Sequence, residues 1–119
     1  MPHTAELTVT KEMQKCIDEC LTCYSTCTQT VQHCLELGGK HAEASHIRTL
    51  NDCAEICQTS AGFMLRGSPL HGRICGVCAE ACRECERECR RMPDDAMMQE
   101  CADICRRCAE SCERMARAA

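Results

Sequence analysis

Between Cys75 and Cys89 five cysteines, Cys75, Cys78, Cys82, Cys85 and Cys89, follow one another at intervals of three, four, three and four residues. Residues three and four apart stand above one another on one face of an α-helix, whereas a strand would scatter them over both sides. At a rise of ~1.5 Å per residue the thiol column is roughly 21 Å long. The pattern recurs, less completely, in Cys16, Cys20, Cys23, Cys27 and Cys34, in Cys53 and Cys57, and in Cys101, Cys105, Cys108 and Cys112. All 16 cysteines of the chain therefore fall on four helical faces.

Turn signals divide the 119 residues into four segments of similar length. After a lead-in over 1–9, with Thr8 or Thr10 as cap, the first helix is expected over 10–37. Beside its thiols, which Met13 precedes, runs an apolar stripe of Ile17, Leu21, Tyr24, Val31 and Leu35, and Gly38-Gly39 ends it. The second helix is expected over 42–66, where the matching face holds His46, Leu50, Cys53, Cys57, Ser60 and Met64. Gly67-Ser68-Pro69 marks the next boundary, with Ser capping and Pro suiting a first helical turn. A third helix over 69–92 carries the opening column between His71 and Met92. Pro93 then breaks the chain, and Asp94 or Asp95 can cap a fourth helix over 95–118, with Met98 and Met115 flanking its cysteines. Four such helices joined by short turns predict an all-α fold, an antiparallel up-and-down four-helix bundle with a Cys-lined core, in one domain spanning 1–119.

The rest of the composition supports a thiol-filled interior. Tyr24 and Phe63 are the only aromatics, so cysteine must occupy positions where larger hydrophobes normally sit. Net charge is −4, and acidic and basic residues interleave along the helices. Glu86/Arg90, Glu110/Arg114 and Glu113/Arg117 are spaced as i,i+4 ion pairs. No basic run with aromatics argues for nucleic acid, and no segment has the length and apolarity to span a membrane. The N-terminal residues lack the apolar stretch of a signal peptide, which predicts a cytoplasmic protein whose thiols are kept reduced.

Four uses compete for that many thiols. Cysteine can be a small buried hydrophobe, a sound reading for one or two positions but a poor one for 16 on four faces. Local disulfides fit badly, because helical residues four apart have Cβ atoms ~5–6 Å apart. A bridge wants ~3.5–4.5 Å. Iron–sulfur ligation in ferredoxins uses a looped run ending in Cys-Pro, and no cysteine here precedes a proline. Soft metal ions remain. With metal–sulfur bonds of ~2.3 Å, two sulfurs across one ion stand ~4.6 Å apart, within reach of a CxxxC pair on an intact helix. Seven such pairs occur: Cys16/Cys20, Cys23/Cys27, Cys53/Cys57, Cys78/Cys82, Cys85/Cys89, Cys101/Cys105 and Cys108/Cys112. Thiolate favours Cu(I), which accepts two or three sulfurs, whereas zinc prefers four. Charge favours the same ion. About one Cu(I) per thiolate leaves the interior neutral, but one Zn(II) per four thiolates leaves roughly half of the negative charge uncompensated. Without metal the thiols should be protonated, so loading releases roughly one proton per cysteine.

Repeated CxxxC on four helices, from Thr10 to Met115, resembles the cytosolic branch of the copper storage protein family. The resemblance implies a bundle whose interior holds many Cu(I) ions, ligated mostly by CxxxC pairs, and a homotetrameric assembly. Copper chaperones or chelators are the partners it suggests. A general buffer for zinc, cadmium or silver is the alternative within metal binding, and an iron–sulfur electron carrier the alternative outside it.

The two bundle ends differ. Met13, Met64, His71 and Met115 gather at one, and Cys34, His46, Met92 and Met98 at the other. Thioether and neutral imidazole suit a monovalent copper ion in transit. The first end is expected to be the mouth, with Met64, Met115 and His71 as occasional ligands beside the cysteines. His3, His33 and His41 have no place on the thiol face and are expected in solvent. No nucleophile–base pair, phosphate loop or paired inward carboxylates suggests an enzyme.

Overall fold

In a computed structural model of the chain, residues 9–118 are described. The lead-in over 1–8, with Thr8 and His3, lies outside the described residues. Four helices follow: α1 Lys11–Leu37, α2 Ala44–Leu65, α3 His71–Arg90 and α4 Ala96–Ala118. Each packs on its neighbours in the chain, and α4 closes back onto α1. The result is an up-and-down bundle measuring 57 × 22 × 21 Å.

The turns follow from local chemistry. Thr10 caps α1, its Oγ1 accepting from the Met13 N–H at 3.1 Å. Gly38 ends that helix at φ 72°, with its N–H returned to the Cys34 carbonyl. A short 3-10 turn, Gly39–Ala42, then delays the start of α2 by two residues relative to the sequence expectation. At the far end of α2 the N–H of Ser68 reaches the Phe63 carbonyl and that of Gly67 reaches Met64. This is a Schellman ending, and Gly67 supplies its left-handed residue at φ 66°. Ser68 and Pro69 sit in the turn that follows rather than in α3, which begins at His71, and Ser68 Oγ accepts from Leu70 N–H.

The last connection is the most heavily bonded. Asp95 Oδ1 accepts the N–H groups of Met97 and Met98, capping α4. Its other oxygen accepts Nε2–H from His33 at 2.8 Å and from His41 at 3.0 Å. Those two histidines are therefore half-buried and hydrogen-bonded, not free in solvent as the sequence suggested. Gln99 Nε2 donates to the carbonyls of Cys89 and Met92, which also accept the backbone N–H groups of Met92 and Asp95 at 3.2 Å.

Ion pairing also departs from simple helical spacing. Glu86 meets Arg90 as expected, at 3.8 Å. Glu110 instead pairs backwards with Arg106, Glu113 crosses to Arg83 on α3, and Arg114 approaches Glu12 on α1. Inter-helix register, which i,i+4 counting ignores, brings Arg83 and Glu12 within reach, whereas Arg106–Glu110 is an i,i+4 pair of the reverse order within α4.

Every cysteine is fully buried, at 0% exposure. Among the described residues the branched aliphatics of the buried core are Ile17, Leu50 and Ile104, joined by four methionines and five alanines. The core is a thiol core with a thin aliphatic supplement.

Burial works against the Asp95 charge, but the hydrogen bonds from His33, the Met98 amide and His41 overcome it and hold the carboxyl at about 2. A carboxyl depressed on folding stabilises above its unfolded value and loses that contribution as pH falls through the folded one. Replacing Asp95 by Ala should lower the stability of the metal-free protein at pH 7 by about 1–2 kcal/mol, as loss of a cap does. In urea denaturation the gap between wild type and Asp95→Ala should shrink between about pH 4 and pH 2.

Candidate metal centre

The helical faces deliver the thiols to a common axis as one unbroken array. At one end Cys16 and Cys20 of α1 lie 3.7 and 3.6 Å from Cys112 of α4, and Cys75 of α3 lies 3.4 Å from the Ser60 hydroxyl of α2. Further in, Cys57 stands 3.6 Å from both Cys78 and Cys82 and 3.8 Å from Cys108. Cys108 is in turn 3.7 Å from Cys20. The middle of the column joins Cys53 to Cys82 and Cys23 at 3.7 Å, and Cys23 to Cys105 at 3.8 Å. Cys27 then contacts Cys101 and Cys105 at 3.8 Å and Cys85 at 3.9 Å. Cys89 continues the series beside Cys85 and Cys101.

These contacts refine the picture of CxxxC clamps. Cys23 and Cys27, at 3.9 Å, are a close pair within one helix, whereas the other short sulfur–sulfur contacts run between helices. An ion can therefore take sulfurs from two or three helices at once. Three sulfurs around one ion at ~2.3 Å form a triangle with edges of ~4.0 Å. The observed spacings need to open by only a few tenths of an ångström.

Groups of four thiols whose sulfurs all lie within 4.8 Å of one another recur along the axis. They include Cys20, Cys78, Cys108, Cys112; Cys23, Cys53, Cys57, Cys82; Cys23, Cys27, Cys53, Cys105; and Cys57, Cys78, Cys82, Cys108. The groups overlap: Cys23, Cys53, Cys57, Cys78, Cys82 and Cys108 each belong to two of these four. A set of isolated tetrahedral sites would not share ligands in this way, but a chain of ions bridged by common thiolates would.

Burial disfavours the charged form at every thiol, while hydrogen bonds between neighbouring thiols push some members of the array up and others, such as Cys20 and Cys101, down. Hydrogen bonding to Cys101, reinforced by burial, raises both Cys27 and Cys105 well above the ordinary thiol range. Burial first, then the Asp95 carboxylate, pushes Cys34 up to about 11. Among the described residues no buried side-chain nitrogen or oxygen lacks a hydrogen-bond partner, so the polar groups enclosed with the thiols are satisfied.

The methionine end holds the expected residues in different settings. Met64 is fully buried, Met115 nearly so, and Met13 packs half-buried against the core. His71 is half-buried, and its Nδ1–H donates to the Ser68 carbonyl at 2.8 Å. That bond leaves Nε2 as the free imidazole lone pair.

At the opposite end Cys34, which the sequence reading took as a thiol ligand, meets two residues that it did not assign as ligands. Cys34 Sγ lies 3.3 Å from His46 Nε2 and 3.5 Å from Met98 Sδ. All three side chains are fully buried. Helical periodicity already placed His46 and Met98 on the inward faces, and that was the available signal. Which of them meets Cys34 depends on how α1, α2 and α4 are staggered.

Comparison with known proteins finds relatives by both sequence and architecture. The sequence model described as copper storage protein matches residues 9–117. A crystal structure of a protein from Nitrosospira multiformis is 49% identical and superimposes with a TM-score of 0.86, covering 92% of this chain and 98% of that one. The Cu(I)-bound copper storage protein BsCsp3 is 35% identical with a TM-score of 0.83, over 89% of this chain and 99% of its own. The copper storage protein of Streptomyces lividans, loaded with 10 copper equivalents, is 28% identical with a TM-score of 0.79, over 92% and 86%. With its thiol-lined bundle and a family match running nearly from end to end, the chain belongs to the copper storage protein family.

Proposed function

We propose that this protein stores Cu(I) in the cytoplasm, holding many ions per chain on the cysteine thiolates of the bundle interior, as a binder without turnover. The observation that carries the reading is the set of overlapping four-thiol groups, all at 0% exposure, in which neighbouring positions share sulfurs. Such an array suits a monovalent ion that bridges and replaces protons one for one. The family relationship supports it, because relatives have been solved with Cu(I) bound and with five or ten coppers. The Streptomyces lividans protein is described as cytosolic, which agrees with the reduced thiols that the chemistry requires.

An anaerobic titration of Cu(I) against a strong competing chelator should saturate near one ion per cysteine, about sixteen per chain, and release roughly one proton for each. Saturation at four colourless Zn(II) ions, or an iron chromophore on the purified protein, would favour the zinc buffer or the electron carrier instead.

We propose the mouth at the Met13, Met64, His71 and Met115 end, where a free His71 Nε2 and three thioethers can hand an ion on to Cys16, Cys75 and Cys112. Uptake rates in a Met64→Leu, Met115→Leu double variant should fall about tenfold or more at unchanged capacity; unchanged rates would remove this end from the path.

The assembly is proposed to be a homotetramer. Leu21 and Leu35 are exposed along α1, beside half-buried Tyr24 and Val31, and this stripe is the surface offered for subunit contact. Light scattering should give about four times the 13.3 kDa chain mass. A monomeric mass at micromolar concentration would rule the tetramer out.

A further inference from the structure

Cys34 stands apart from the other thiols. It belongs to no CxxxC pair, and its short contacts are to a nitrogen and a thioether. His46 Nδ1 lies 3.0 Å from Glu88 Oε1, a carboxylate oxygen that can only accept, so Nδ1 carries the proton. The remaining nitrogen, Nε2, then presents its lone pair to Cys34 Sγ. Glu88 is itself anchored by Arg91, whose Nη1 donates to the same oxygen at 2.8 Å. A relay therefore runs inward from the half-exposed Arg91 through Glu88 to a fully buried imidazole.

The Cys34 proton sits between two soft acceptors, His46 Nε2 and Met98 Sδ. That is also the position a monovalent soft ion would take. A three-coordinate ion with bonds of ~2.3 Å to sulfur and ~2.05 Å to nitrogen needs a nitrogen–sulfur edge of ~3.8 Å and a sulfur–sulfur edge of ~4.0 Å. The observed 3.3 and 3.5 Å are each short by about half an ångström, an opening that side-chain rotation can supply.

We infer that Cys34, His46 and Met98 form a mixed thiolate–imidazole–thioether Cu(I) site at the end of the thiol column, with Glu88 as the positioning residue that fixes His46 with Nε2 toward the ion. The step is an exchange: Cu(I) enters, the Cys34 proton leaves, and one S–Cu, one N–Cu and one thioether S–Cu contact replace the S–H. No electron is transferred. A carboxylate behind a ligating histidine commonly serves this purpose, and its loss typically weakens metal binding 10–100-fold. The inference rests on the copper reading above, but concerns residues outside the four thiol quartets named there.

Silver(I), diamagnetic and thiophilic, is the probe. The full-length protein, labelled in histidine rings and methionine methyls, would be loaded with 109Ag(I) to thiol saturation and followed by NMR. In the metal-free protein the His46 ring should show the Nδ1–H tautomer. On loading, the ring protons flanking Nε2 and the Met98 methyl should acquire coupling to silver. A Glu88→Leu variant should lose the fixed tautomer and bind this ion 10–100-fold more weakly, whereas Glu88→Gln, which keeps an acceptor oxygen, should restore both. Silver on the cysteines with unchanged His46 and Met98 signals would overturn the mixed site and leave storage intact. Coupling through Nδ1, or a Glu88→Leu protein with the wild-type tautomer, would overturn the role of Glu88. No uptake by the cysteines at all would defeat the site and the storage reading together.

Discussion

A buried thiol tolerates a proton or a metal ion, but not an uncompensated negative charge. That single constraint organises the molecule. Sixteen thiols enclosed at 0% exposure make the metal-free interior a neutral, weakly polar core. The same thiols become ligands only when each departing proton is matched by an incoming positive charge. A monovalent ion satisfies this locally, thiol by thiol. A divalent ion would need two thiolates for each ion at every stage of filling, while its preferred four ligands would leave excess charge behind.

The helices make the exchange possible without rebuilding the chain. Their backbone hydrogen bonds are satisfied within each segment, so ligand spacing is set by rigid rods rather than by loops. Caps and turns hold the rods in register: Thr10 on α1, the Schellman turn at Gly67, and Asp95 with Gln99 at the α3–α4 connection. Since the aliphatic supplement is thin, with Ile17, Leu50 and Ile104 its branched members, metal–sulfur bonds would add to cohesion where an ordinary bundle relies on leucine packing.

Much of this was legible in the cysteine spacing. The three-four rhythm identified the helices and the inward face, and the Gly, Pro and Asp punctuation marked the turns to within two residues. Ser60 and Met64 were correctly read as members of the buried face of α2. What periodicity could not give was the stagger between helices. It therefore put Cys34, His46 and Met98 at one end of the bundle without giving their contact, and it missed that Glu88 lies behind His46 and that Glu113 pairs with Arg83. His33 and His41 were assigned to solvent because they fall off the thiol face. Their actual surroundings come from the α3–α4 turn, which carries Asp95 back across the end of α1.

The sharing of sulfurs between adjacent quartets has a consequence for movement. Where Cys57 and Cys82, or Cys23 and Cys53, serve two neighbouring groups, an ion can shift along the axis by trading one sulfur while keeping the others. An empty position then travels the opposite way, like a vacancy in a crystal row. Filling and emptying become hops of a few ångströms within an unbroken sulfur corridor, and no ion need meet water between the first thiolate it reaches and the last.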